Sequence, residues 1–407
     1  MKVEALADLA AAVSERDGFE EPWPEHTFAH QLSRLPVAEL RAVAEDAGDR
    51  DVVRALSTSP PDRTIRDFAA LLSPAGGERL EALAGASHRL TVSRFGRTMH
   101  MYAPLYLSNE CLTTCAYCGF AKNLPVVRKT LGEASARQEA EHLRRYGFRS
   151  VLLLTGEHER RTGVEFLERH LRVLRAVVPS LAVEVQVWGE TDYRRLGDAG
   201  CEGVVIYQET YHPGRYSEVH LAGRKREYRW RLLGPERAAR AGMRRVGIGA
   251  LLGLHDDWRF EALATAAHAR FLTRRFWRSQ VTVSVPRIRP SASGFQPRTE
   301  ISDRELAQLI CALRLFLPDA GLVLSSREAA EVRDGLHRIG ITHTSAGSHT
   351  EPGGYEHPGE AEEQFEVADH RSPAEVADSL RTMGYEPVWE DPSLVAGIAR
   401  GLQPTGT

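Results

Sequence analysis

Between residues 101 and 348, short apolar β-rich runs alternate with longer amphipathic segments, and no other feature restricts the fold as tightly. The expected strands are 103–107, 151–154, 182–187, 204–207, 246–251, 281–285, 322–324 and 341–344. Helical patterns lie between them at 133–146, 165–178, 235–241, 260–276 and 303–316. Repeated strand-then-helix order makes successive strands parallel, because each helix carries the chain back along the sheet. About eight such units over about 250 residues match a closed (β/α)8 barrel. An open doubly wound sheet is the competing architecture. The expected organisation of the 407 residues is an N-terminal helical region (1–97), a TIM-type barrel (98–348) and a C-terminal appendage packing on the barrel (349–407). The first region predicts helices at 37–47, 65–72 and 77–91, and the last predicts one near 373–383.

The densest chemical signal is Cys111-Leu-Thr-Thr-Cys115-Ala-Tyr-Cys118, just after the first expected strand. In a barrel of this kind that position is the C-terminal face, where active sites sit. Three soft thiolates favour an iron–sulfur cluster, zinc or Cu(I). A structural zinc site is normally closed by four protein ligands. The other two cysteines, Cys201 and Cys311, are remote in sequence and read as small core residues. Three cysteines on a [4Fe–4S] cubane leave one iron open for a small-molecule ligand. A non-catalytic iron–sulfur or zinc-binding protein is the alternative of another class.

The formal net charge of −3 gives no electrostatic case for nucleic acid or an anionic membrane as partner. The arginines are interspersed with acids and read as a solvated surface. No signal-peptide pattern opens the sequence and no run reaches the ~18 apolar residues of a membrane span, so the cytoplasm is the expected location.

The triplet, with Tyr117 before its last cysteine, resembles the signature of the radical S-adenosylmethionine superfamily. That resemblance implies Cys111, Cys115 and Cys118 as cluster ligands and S-adenosylmethionine as second cofactor. It extends to other strand ends. Thr155-Gly156-Glu157-His158 resembles the element that takes the methionyl ammonium, and Glu209 in Tyr207-Gln-Glu-Thr-Tyr-His212 matches a ribose-binding carboxylate. Either carboxylate could instead be an ordinary strand-to-loop or salt-bridged rim residue.

Further matches are Tyr102-Ala-Pro-Leu-Tyr-Leu-Ser-Asn109, Glu184-Val-Gln186, Pro286-Arg-Ile-Arg-Pro290, Ser326-Arg-Glu328 and Pro352-Gly-Gly-Tyr355. Together they resemble the 2-iminoacetate synthase family, tyrosine lyases of thiamine thiazole assembly, over nearly the whole chain. The resemblance implies cleavage of the Cα–Cβ bond of L-tyrosine to 2-iminoacetate and p-cresol. It also implies a one-electron donor such as flavodoxin or ferredoxin, and thiazole synthase as protein partner. The tyrosine lyase of hydrogenase maturation has additional C-terminal cysteines, and this chain has none after Cys311. The tryptophan lyase making 3-methyl-2-indolic acid shares the triplet and the arginine, and is the alternative within the class. By that likeness Arg327 holds the substrate carboxylate, and Tyr106 and Ser345 help position the substrate. Arg327 could instead be a helix-start residue paired with Glu328 or Asp334. For the phenolic proton, Gln186, Tyr211 and His212 have only their positions in favour.

Overall fold

The computed structural model describes residues 24–390. Eleven strands are formed among the described residues, here β1 to β11 in chain order. Eight of them make the barrel: β1 (Thr98–Ser108), β3 (Ser150–Thr155), β4 (Ser180–Glu184), β5 (Cys201–Glu209), β7 (Arg245–Ala250), β8 (Gln280–Ser284), β9 (Gly321–Leu324) and β10 (His343–Ser345). Each pairs in parallel with the next, and β10 pairs with β1, so the sheet closes. The competing open sheet is thereby excluded, and all eight expected strands are present. Two strands outside the barrel, β2 (Thr114–Cys115) and β6 (His220–Ala222), pair antiparallel at its top. The last, β11 (Glu386–Val388), pairs with the start of β1.

The barrel is assembled by an alternation within each strand. Val204, Ile206, Val246 and Ile248 pack outward into the core shared with the helices. Their neighbours include small and polar residues: Gly203, Arg245, Gly247, Thr282 and His343, with Leu152, Val205 and Val323, line a cavity inside the barrel. This departs from the layers of branched apolar side chains that usually fill such a barrel.

The outer helices follow their apolar stripes. Asp303–Phe316 starts at a capping box, Ser302 with Glu305, and buries Leu306, Leu309, Ile310 and Leu313. Leu80–Phe95 packs against it and ends at Gly96, whose φ of 67° turns the chain into β1. The N-terminal helices, barrel and C-terminal helix Pro373–Thr382 share one continuous apolar core. Among the described residues, no helix is long and apolar enough to cross a membrane.

Candidate active site

The cysteine loop is held to the C-terminal end of the barrel by backbone contacts and one arginine. Leu112 N–H donates to the Glu157 carbonyl at 2.8 Å, tying the loop to the end of β3, and Ala116 N–H donates to Val219 at 2.8 Å. Gly156 is required there: a Cβ would stand 2.3 Å from the Glu110 carbonyl oxygen. The Arg128 guanidinium donates to the carbonyls of Asn109 (2.7 Å), Phe120 (2.8 Å) and Ala121 (2.7 Å), a fork that no lysine reproduces.

Cys111, Cys115 and Cys118 share one wall of a cavity at the barrel mouth. The Thr113 hydroxyl lies 2.9 Å from Cys111 Sγ and 3.7 Å from Cys115 Sγ. Phe120 N–H and Gln364 Nε2 donate to Cys118 Sγ at 3.4 and 3.8 Å. Burial pushes the Cys115 and Cys118 thiols up, so their thiolates require a cation, as a metal cluster supplies. Cys201 begins β5 at the opposite end of the barrel, and Cys311 is buried on the outer helix Asp303–Phe316. Three thiols without a cysteine fourth fit a cubane with one open iron. The buried Thr155 hydroxyl, which lines the same cavity without a hydrogen-bond partner, fits a further polar ligand beside it.

Glu157 and Glu209 face this cavity and are joined beneath it. Arg231 NH1 lies 3.1 Å from Glu157 and NH2 3.8 Å from Glu209, while Lys225 Nζ is 2.8 Å from Glu209. Arg231 Nε also donates to the Tyr207 carbonyl at 2.6 Å. Burial opposes the Glu209 charge, but Lys225 and Arg231 hold its carboxyl below the ordinary value. Glu209 has φ 70°, a left-handed conformation that is costly away from glycine and recurs where function over-determines the backbone. Tyr117 lines the wall beside it, its hydroxyl 2.9 Å from His220 Nε2.

Arg231 departs from the reading of the arginines as solvated surface, and Lys225 is partly buried beside it. Arg231 is 6% exposed, and the side chain of Lys225 is 13% exposed. The available signal is a run of basic residues, Arg224 to Arg231, interleaved with Tyr228 and Trp230.

Arg327 follows β9 and lines the cavity. The partners that would have made it a structural residue are taken: Glu328 pairs with Arg287, and Asp334 with Arg371 at 3.0 Å. Its guanidinium lies 3.3 Å from the centre of the Phe365 ring and, among the described residues, closes no ion pair. Tyr106 also lines the cavity and donates to Gln364 Oε1 at 2.7 Å. Ser345 is placed differently. It is absent from the cavity lining, and its Oγ accepts from the Ser326 amide at 3.0 Å, so it acts on the strand end that carries Arg327. Tyr211 is buried with its hydroxyl on His268 at 2.9 Å, and His212 stacks on His255; neither lines the cavity.

Gln364 and Phe365, unassigned by the sequence reading, come from the C-terminal segment that roofs the site. Gly119 N–H donates to the Gln364 carbonyl at 3.1 Å, Gln364 N–H to Thr350 at 3.0 Å, and Glu366 N–H to Pro290 at 2.9 Å. Nothing in a segment of mixed polarity announces this crossing.

A parallel eight-stranded barrel with three convergent thiols at its C-terminal mouth defines a radical S-adenosylmethionine protein. Residues 105–267 match the radical SAM superfamily, and residues 284–386 match the biotin and thiamin synthesis associated domain. The chain is 43% identical to the 2-iminoacetate synthase of Escherichia coli (strain K12) over 90% of its own length and 96% of that protein. It is 40% identical to the 2-iminoacetate synthase of Salmonella typhimurium with the same coverage. The crystal structure of HydG, a maturase of the [FeFe]-hydrogenase, superposes with a TM-score of 0.83 at 29% identity, over 89% of this chain and 81% of that one. The chain belongs to the 2-iminoacetate synthase family.

Proposed function

We propose that this protein cleaves the Cα–Cβ bond of L-tyrosine, giving 2-iminoacetate and p-cresol, and so supplies the thiazole moiety of thiamine. The observation that carries the reading is one cavity with three cluster-ready thiols on one wall and an unpaired guanidinium, Arg327, on another. The name shared by relatives at 40 and 43% identity supports the substrate, and the thiamin-associated domain supports the pathway.

Cys111, Cys115 and Cys118 hold a [4Fe–4S] cluster. When bound, the cluster and S-adenosylmethionine would supply one-electron radical chemistry at the substrate amine. Glu157 takes the methionyl ammonium and Glu209 the ribose hydroxyls, Glu157 paired with Arg231 and Glu209 with Lys225 beneath them. Tyr117 borders the nucleoside side. Arg327 binds the tyrosine carboxylate, with its planar fork immobilised on Phe365. Tyr106 bounds the substrate pocket, and Ser345 positions the backbone next to Arg327. The roof from Thr350 to Glu366 excludes water from the reacting atoms. A flavodoxin- or ferredoxin-type donor provides the electron. Because 2-iminoacetate hydrolyses readily, thiazole synthase receives it directly.

The test is anaerobic incubation of the reduced holoenzyme with tyrosine or tryptophan in parallel. Tyrosine should yield p-cresol and glyoxylate, the hydrolysed imine. A methylindole acid from tryptophan would replace this reading with the tryptophan lyase. Arg327→Ala should retain cofactor cleavage but lose most bond scission, and unchanged tyrosine turnover would remove the carboxylate assignment.

A further inference from the structure

The charges around the cavity do not all cancel one another. Its wall carries three carboxylates and four cations. Glu157 and Glu209 are joined to Arg231 and Lys225, and Arg289 lies 3.9 Å from Glu366. One anion and one cation are left. The side chains of Glu184 and Arg327 make no hydrogen bond to another described residue and lie in no ion pair. Glu184 ends β4 and Arg327 follows β9, and these strands are diametrically opposed in the eight-membered ring. Two long side chains of opposite sign thus enter one cavity from opposite sides. A free α-amino acid carries the same two charges on adjacent groups.

We infer that Glu184 receives the α-ammonium group of the substrate and takes one proton from it, while Arg327 holds the carboxylate. The inference rests on the amino-acid lyase reading above. The step is a proton transfer, R–NH₃⁺ with Glu184–COO⁻ giving R–NH₂ with Glu184–COOH, and no electrons move. It is needed because an ammonium nitrogen has no lone pair to stabilise the nitrogen-centred radical left by hydrogen-atom removal.

The surroundings of Glu184 suit this role. Burial, and then the charge of Glu209 on the neighbouring β5, push its carboxyl up to about 7 against the pull of Arg327, Lys225 and Arg231. A base is most effective when its pKa lies near the working pH. The other facing groups are phenols, Tyr207 on β5 and Tyr102 and Tyr106 on β1, all held neutral by burial. On the other side β3 pairs Leu154 with Glu184 and carries no titratable side chain. Glu184 is therefore the group in this wall able to change charge near neutral pH.

The test compares wild type with Glu184→Gln as reconstituted holoenzymes. Wild-type kcat/KM for tyrosine should rise with pH along a limb centred near neutrality. The variant should lack that limb and lose roughly 10²- to 10⁴-fold in turnover, the usual share of a positioned base. Tyrosine affinity should weaken roughly 10- to 100-fold with loss of a charge-assisted contact. Affinity for 3-(4-hydroxyphenyl)propionate, which has no amine, should be unchanged, an outcome that a merely structural role would not produce. A variant that keeps the pH limb, or that loses affinity for both ligands equally, overturns the inference. Wild type that leaves tyrosine uncleaved would instead refute the lyase reading, and this inference with it.

Discussion

Replacing Arg231 with methionine should expose how the carboxylates of Glu157 and Glu209 are held. Arg231 is 6% exposed, and its guanidinium contacts Glu157 at 3.1 Å, lies 3.8 Å from Glu209 and donates to the Tyr207 carbonyl at 2.6 Å. Methionine keeps much of the packing but removes all three. Glu209 retains Lys225 at 2.8 Å, whereas Glu157 is left without a cation and the carbonyl without a donor. Removing one partner of a buried ion pair costs about 3–5 kcal/mol. The side chain of Glu157 keeps 13% exposure, so the lower end, about 3 kcal/mol, is expected. The assay is urea unfolding of the apoprotein by circular dichroism at pH 8. Adding Glu157→Gln to Arg231→Met should recover most of the loss, because no uncompensated charge then remains. Acid gives a second check. The paired carboxyl of Glu209 is held low, so its stabilisation is present above its unfolded pKa and is lost as pH falls through the folded one. The gap between wild type and Arg231→Met should therefore narrow below pH 5. A loss under about 1 kcal/mol, or a double variant showing simple additivity, would refute the reasoning.

Arg128→Lys should cost the cysteine loop about 3 kcal/mol, because a point charge cannot serve three carbonyls at once. Iron and sulfide bound per chain after anaerobic reconstitution should fall, and a full complement would contradict this. Glu184→Gln should stabilise the apoprotein at alkaline pH. The folded carboxyl lies at about 7 against an ordinary 4.5, so the unfolded chain ionises first and stability drops as pH rises between them. The variant should gain at most about 3 kcal/mol at pH 8 and nothing near pH 4, and a loss at pH 8 would sink the assignment. Gly119→Ala places a Cβ 2.5 Å from the Glu363 carbonyl and 2.8 Å from that of Gln364. The roof must move, at a cost of about 1–3 kcal/mol, and the Gln364 amide should exchange hydrogen faster than in wild type.

The barrel was legible because period-two strands and amphipathic helices carry their own patterns. Asp303–Phe316 matches the predicted 303–316 segment since a capping box marks its start. The ribbon of β2 and β6 was not legible, because two- and three-residue strands have no period to detect. The strand β11, three residues long, was missed for the same reason. The cysteines and Glu157 stand at strand ends, so position and chemistry coincided. Lys225, Arg231, Gln364 and Phe365 reach the site from segments whose local composition is that of surface. Only the closed fold brings their partners to them. Ser345 lies at the right strand end, but its side chain serves the Ser326 backbone, a distinction that sequence spacing does not encode.

The most direct measurement of the central claim is a single anaerobic turnover with tyrosine in D₂O, with 5′-deoxyadenosine and p-cresol quantified by mass spectrometry. Hydrogen-atom removal from the exchangeable amine predicts one deuterium in 5′-deoxyadenosine and p-cresol in equal amount. Unlabelled 5′-deoxyadenosine, or labelled 5′-deoxyadenosine without p-cresol, would contradict a cavity that presents the tyrosine amine to the radical.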